Sequence, residues 1–211
     1  MFEFVFLGSS FAFAAAVQPG PLQAYLISQT VAHGFRRTIP AAFAPVLSDI
    51  PIATLVLLVL TTIPQGFVLV LQLVGGGFLL YLAYGAYGSF RSYRQSVSLP
   101  PASVRQTFFK AVVVNLLNPN AYLGWGFILG PLAVSAWRQS WWSSVAVIVA
   151  FYVTMIATTL VILSLFGRAR SIDPRVGRIL IGLSALALGV FGLYQIWHGG
   201  TAFLGLLGVR M

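Results

Sequence analysis

Almost the whole chain is taken up by six apolar stretches, at about 4–32, 39–62, 66–90, 107–135, 141–166 and 176–198, each near the 20 residues or so that a bilayer core requires. Hydrocarbon offers no partner to an exposed N–H or C=O, so stretches of this kind must satisfy their backbone internally, as helices. With 59% hydrophobic and 7% charged residues the composition lies far from that of soluble domains, and the chain reads as a single all-α, polytopic membrane domain. No segment between the apolar stretches exceeds roughly 20 residues, which leaves no room for a catalytic domain outside the membrane.

Two of the stretches carry a break. Gln18-Pro19-Gly20-Pro21 interrupts the first and Asn118-Pro119-Asn120 the fourth. Proline removes an amide donor and disrupts the bond to the carbonyl one turn back, so each break frees polar backbone groups. At membrane depth such groups persist only against protein or a watery cavity. The two breaks are therefore predicted to face each other and build a binding site. Flanking Gln18, Gln23, Asn115, Asn118 and Asn120 supply amide donors and acceptors, and Tyr25 and Tyr122 follow the breaks at matched places. The alternative for any one Gln or Asn is an interhelical hydrogen bond, and for the tyrosines plain packing.

The halves of the chain repeat. Gln18-Pro19 matches Asn118-Pro119, Ile52-Ala53-Thr54 recurs as Ile156-Ala157-Thr158, and Gly75, Gly85 and Tyr87 share the spacing of Gly182, Gly192 and Tyr194. Repeat one covers about 4–90 and repeat two about 107–198, joined by a linker at 91–106 and followed by a short tail at 199–211. Three spans per half is an odd number, so the second half enters from the opposite side. The predicted fold is an inverted 3+3 repeat of six transmembrane helices with helices one and four broken, an arrangement of secondary transporters whose sites lie at the midplane.

Charge gives the orientation. Arg36, Arg37, Arg91, Arg94, Arg105, Lys110, Arg168, Arg170, Arg175 and Arg178 fall on one side, against Arg138 and Arg210 on the other. Positive loops are cytoplasmic, which places both termini outside, with Trp137, Trp141 and Trp142 at the outer interface. The net charge of +9 thus serves orientation in the bilayer and not binding of nucleic acid. The apolar run to Ala12-Phe13-Ala14-Ala15-Ala16 looks like a signal peptide, but its start has Glu3 and no Lys or Arg, so it is read as the first span, retained.

Of three acidic residues, Glu3 and Asp173 sit at membrane edges. Asp49 does not. Counted from about residue 38 at 1.5 Å per residue it lies roughly 16 Å deep, where a carboxylate costs on the order of 3 kcal/mol and no Lys or Arg is at hand. Either it takes up a proton for part of a cycle, or it pairs with a cationic substrate, or it is a neutral group bonded to a neighbouring helix. Pro45 and Pro51 keep its helix irregular, and Ser48 is a polar neighbour.

Half-helix N-termini favour a carboxylate, while freed carbonyls and Asp49 favour an ammonium; together they describe a zwitterionic amino acid. No cysteine is present, which excludes disulfides, thiolate metal sites and thiol redox chemistry. His33 and His198 lack a second ligand at helical spacing, so no metal site and no cofactor are expected. No P-loop, Gly-x-Ser-x-Gly elbow or paired carboxylate occurs, so ATP-driven transport and intramembrane hydrolysis lack parts and the chain is not read as an enzyme. The glycine faces of Gly75-Gly76-Gly77, Gly85 and Gly88, of Gly124, Gly126 and Gly130, and of Gly182, Gly189 and Gly192 permit close helix approach, within the chain or in a homodimer.

The Pro19-Gly20-Pro21 break, the turn His33-Gly34-Phe35-Arg36-Arg37, Ser48-Asp49, the glycines before Tyr81-Leu82 and Asn118-Pro119 together resemble the LysE/RhtB family of bacterial amino-acid exporters, over most of the chain. The resemblance implies an inner-membrane protein that exports amino acids or related small solutes in exchange for protons. Pro40 and Pro45 stand where that family usually shows glycines, and Gln18 and Leu22 flank the proline motif where other small or polar residues are usual. Competing readings are an exporter of another solute, with a metal cation disfavoured by the few acids and histidines, a channel, and a structural or assembly subunit with no solute path. The last predicts a dry centre, with Asp49 hydrogen-bonded and both breaks packed by side chains.

Overall fold

The computed structural model describes residues 1–59, 65–92, 103–172 and 174–206, and among them every regular element is helical. The first apolar stretch is α1 (Phe2–Val17) and α2 (Pro21–His33), bent by 60° at the break. The second is α3 (Phe35–Thr38), a 3₁₀ segment (Ile39–Phe43), α4 (Ala44–Thr54) and a π-helical turn (Leu55–Val59). The third is α5 (Gln65–Ser92). The fourth is α6 (Val104–Leu116), α7 (Pro119–Gly124), a second π-helical turn (Trp125–Leu129) and α8 (Gly130–Gln139), bent by 62°. The fifth and sixth are α9 (Trp141–Ile172) and α10 (Pro174–Leu206). Among the described residues four helical stretches alone, and up to six if each bent pair counts as one span, are long and apolar enough to cross a membrane.

Several boundaries depart from the sequence reading. The turn predicted at 34–38 shrinks to Gly34, whose φ of 95° is open to glycine, and helix resumes at once at Phe35. The fifth connection does not begin at Gly167, because one glycine costs a helix only about 1 kcal/mol, and the helix runs on to Ile172. Helix also runs through the predicted tail as far as Leu206. Gln65 of the second connection opens α5, while the rest of that connection, most of the 91–106 linker, Arg94, Asp173 and Arg210 lie outside the described residues. Pro40, Pro45 and Pro51 account for the irregular second span: the first two open the 3₁₀ segment and α4, and the third sits inside α4 just ahead of the π-helical turn.

Packing relates the halves. α1 of the first broken span lies along α9 of the fifth, and α6 of the fourth lies along α4 of the second. This is the exchange an inverted repeat requires. α5 and α10, the last span of each half, form the most extensive pair. There Gly76 and Gly192 meet so closely that a Cβ on Gly76 would stand 2.7 Å from the Gly192 carbonyl oxygen. Among the glycines grouped above, Gly77, Gly85 and Gly88 make no such close approach: a Cβ on any of them would meet nothing within 4 Å.

Two large apolar clusters fill most of the interior, with a third, smaller one of Val31, Ala32 and Ile181 beside them. One joins Leu26, just past the first break, and Val114, just before the second, with Leu163 and Leu188 of the long helices α9 and α10. The other joins Ala12, ahead of the first break, and Leu129, past the second, with Val56 and Val147. The level of the breaks falls between them. Around the outside, large side chains such as Leu186, at 63% exposure, and Val153, at 60%, face outward as lipid-facing residues do.

Candidate functional site

Between the clusters lies a cavity of about 380 Å³, lined from both breaks and from α4 and α9. Gln18, Pro19, Gly20, Pro21 and Gln23 of the first break line it, as do Asn118 and Asn120 of the second, together with Asp49 and Asn115. The structure thus brings together most of the residues singled out from the sequence. Pro119, Tyr25 and Tyr122 are the exceptions. Pro119 is buried as the first residue of α7, behind the wall. Tyr25 is buried in the apolar cluster, where its hydroxyl donates to the Thr107 carbonyl at 3.3 Å. Tyr122 donates to the Leu116 carbonyl at 3.0 Å.

The two breaks are registered by their caps. Pro21 and Pro119 each occupy the first turn of the resumed helix, behind Gly20 and Asn118 as N-caps. The structural match is therefore Pro21 with Pro119, two residues from the Pro19 pairing read in the sequence. Under it Tyr25 falls opposite Leu123, so the two tyrosines are not equivalents.

Each break satisfies its freed backbone differently. At the second, the Leu116 carbonyl loses the Asn120 amide; Tyr122 donates to that carbonyl, and the Asn120 N–H turns to Asn118 Oδ1 at 3.1 Å. At the first, the Gln23 side chain donates to the Ala16 carbonyl at 2.6 Å and to Thr159 Oγ1 of α9 at 3.3 Å. Its Oε1 stays buried and unpartnered. Gly20 brings no side chain to cap α2, so the N-terminal amides of that helix are left for water or a ligand. The α2 start is open where the α7 start is capped.

Asp49 is 5% exposed and held from two neighbouring helices. Asn115 Nδ2 donates to Asp49 Oδ1 at 2.8 Å and to Ser48 Oγ at 2.7 Å, and the Tyr152 hydroxyl donates to Asp49 Oδ2 at 3.0 Å. The Ser48 hydroxyl in turn donates to the Ala44 carbonyl at 3.1 Å. The Trp125 indole stands beside the same carboxyl, with its buried N–H short of hydrogen-bond geometry. Among the described residues no Lys, Arg or His lines the cavity. The carboxyl group is therefore oriented by neutral donors and lacks a fixed countercharge, while part of it faces open volume.

Tyr152, Trp125 and Thr159 are the members that sequence reasoning missed. Phe151, Met155 and Thr159 recur every four residues on α9 and all line the cavity, a stripe that could have drawn attention to this face and to adjacent Tyr152. Trp125 carried no such signal, because the π-helical turn beginning there sets its direction. Among the described residues no group of three His, Cys, Asp or Glu is placed to hold a metal ion.

Two broken helices packed around a central, partly polar cavity inside a bundle of spanning length define a membrane transporter. Residues 13–210 match the family model of the LysE type translocator, and the chain belongs to that family. No curated protein and no solved structure matches it.

Proposed function

We propose that the protein exports amino acids or related zwitterionic solutes across the bacterial inner membrane by proton antiport, with its arginine-rich loops cytoplasmic and both termini periplasmic. The observation that carries this reading is Asp49, a buried carboxyl with no basic partner on the wall of a cavity that both breaks line. The substrate ammonium engages Asp49 and the unpartnered Gln23 Oε1. Its carboxylate lies toward the uncapped start of α2, where free amides and the helix dipole favour negative charge. The Trp125 N–H is a further donor within the same wall.

Export follows from competition for one carboxylate. A proton taken up from outside displaces the ammonium and releases the solute there, and loss of that proton inside allows reloading, with the bundle rocking about the breaks between the two states. Hydrogen bonds from Asn115 and Tyr152 are what a structural subunit would also show. The open volume beside Asp49 favours a carrier over the dry centre that such a subunit requires. Accumulation of labelled amino acids in inside-out vesicles, driven by an imposed proton gradient, tests the proposal. Its absence for every amino acid tried removes the solute class named here.

A further inference from the structure

The central cavity changes character along the helices that wall it. On α9 the lining residues Phe151, Met155 and Thr159 follow one another by about a turn, and Thr159 accepts from Gln23 beside the open start of α2. Phe151 lies about 12 Å along the axis from Thr159, at 1.5 Å per residue, and there the wall is carbon. The Phe11 ring of α1 stacks on the Phe151 ring, with 5.7 Å between centroids and 25° between planes. Gly124 of α7 leaves room for the tip of Phe11, since a Cβ there would stand 3.2 Å from Phe11 Cζ. Leu129 of the π-helical turn belongs to the same apolar cluster and lines the cavity too. Half-buried Met155 stands between this ring pair and the polar groups.

Charge in the wall is just as uneven. Among the described residues Asp49 is the one charged side chain that lines the cavity. The chain's two other acids are Glu3, about 12 Å along α1 from Phe11, and one met only after α9 has run about 20 Å past Thr159 to Ile172. A solute whose side chain carried a second ammonium would therefore bring two cations to one carboxylate. One with a second carboxylate would meet no base in the described wall, and an unpaired buried charge is costly. A side chain that stopped at its Cβ would leave the ring pair without partner atoms. We propose that the cavity selects solutes with a large apolar side chain, of the leucine, methionine or phenylalanine class, seated against Met155 and the Phe11–Phe151 pair. The proposal rests on the reading of Asp49 and the α2 start as the seats of the solute's ammonium and carboxylate, and Met155 and Phe11 become the residues that set the side-chain preference.

The test uses the full chain purified in neutral detergent, where no proton gradient exists, and reads the rise in unfolding temperature against ligand concentration. The probes are L-leucine, L-methionine, L-phenylalanine, L-alanine, L-lysine, L-glutamate and isoamylamine, which is leucine without its carboxylate. The three large apolar amino acids are expected to act at concentrations at least about tenfold below alanine, with lysine and glutamate weaker still. Met155→Ala is expected to bring the leucine and alanine values together, and Phe11→Ala repeats the comparison if that variant does not fold. Val153→Ala, on the outward face of α9 and away from the cavity wall, should keep them apart. Lysine, glutamate or alanine acting at the concentration of leucine would overturn the proposal and leave the amino-acid reading standing, as would an unchanged leucine-to-alanine ratio in Met155→Ala. A response to isoamylamine but to no amino acid would overturn the zwitterion reading and support the apolar selection. A response to none of the probes would overturn both.

Discussion

Gly75→Ala and Gly77→Ala, two substitutions half a turn apart on α5, should move stability in opposite directions. A Cβ on Gly75 would stand 2.6 Å from the Leu117 carbonyl oxygen and 2.9 Å from Gln195 Oε1, whereas a Cβ on Gly77 would meet nothing within 4 Å. Leu117 lies at the second break, so its carbonyl cannot yield without shifting the chain that carries Asn118. Replacing glycine by alanine in a helix gains about 1 kcal/mol of backbone propensity, and that gain is common to both variants. It cancels in their difference, which leaves the overpacking cost at Gly75, about 1–3 kcal/mol and more where backbone is struck. Equilibrium unfolding in mixed micelles at fixed composition would read the difference, and export by Gly75→Ala should fall as well because the second break is displaced. A Gly75→Ala protein as stable as Gly77→Ala would refute the close seating of the break on α5.

Other expected outcomes separate wall residues from supports. Tyr152→Phe removes only the hydroxyl bonded to Asp49, a contact to an ionisable group worth about 1.5–3 kcal/mol, so export should drop by roughly tenfold or more with the fold intact; an unchanged rate would remove Tyr152 from the site. Tyr25→Phe loses a bond to the Thr107 carbonyl far from the cavity wall and should cost about 1 kcal/mol of stability while export is unchanged. Gln23→Leu leaves the Ala16 carbonyl without its donor and should destabilise by about 1–3 kcal/mol, while also weakening apparent affinity for the exported solute in vesicle assays.

The parts that were legible in the sequence are those set by backbone chemistry. Prolines inside apolar stretches announced the breaks, a lone acid at mid-span announced Asp49, and Asn115 could be paired with it by depth. The parts that were not legible depend on local rotation and on caps. Pairing Gln18-Pro19 with Asn118-Pro119 placed the repeat two residues out, because the equivalent positions are defined by which proline starts the resumed helix. Tyr25 and Tyr122 looked like wall residues from their places after the breaks, yet each is buried in an apolar cluster and spends its hydroxyl on a backbone carbonyl, Tyr25 on Thr107 and Tyr122 on Leu116. The π-helical turn at Trp125–Leu129 is equally silent in composition, yet it decides that an indole reaches the Asp49 wall. Tyr152 was passed over because its neighbours on α9 are apolar; only the spacing of Phe151, Met155 and Thr159 marks that face.

Uptake of labelled amino acids into inside-out vesicles carrying the purified protein, with and without an imposed proton gradient and beside Asp49→Asn, tests the central claim most directly. Asparagine fills the same space and can still hydrogen-bond Asn115 and Tyr152, so the variant should fold. The expected result is accumulation that follows the gradient in the native protein and loses its dependence on that gradient in the variant. Gradient-driven accumulation that persists in Asp49→Asn would contradict the assignment of the coupling proton to this residue.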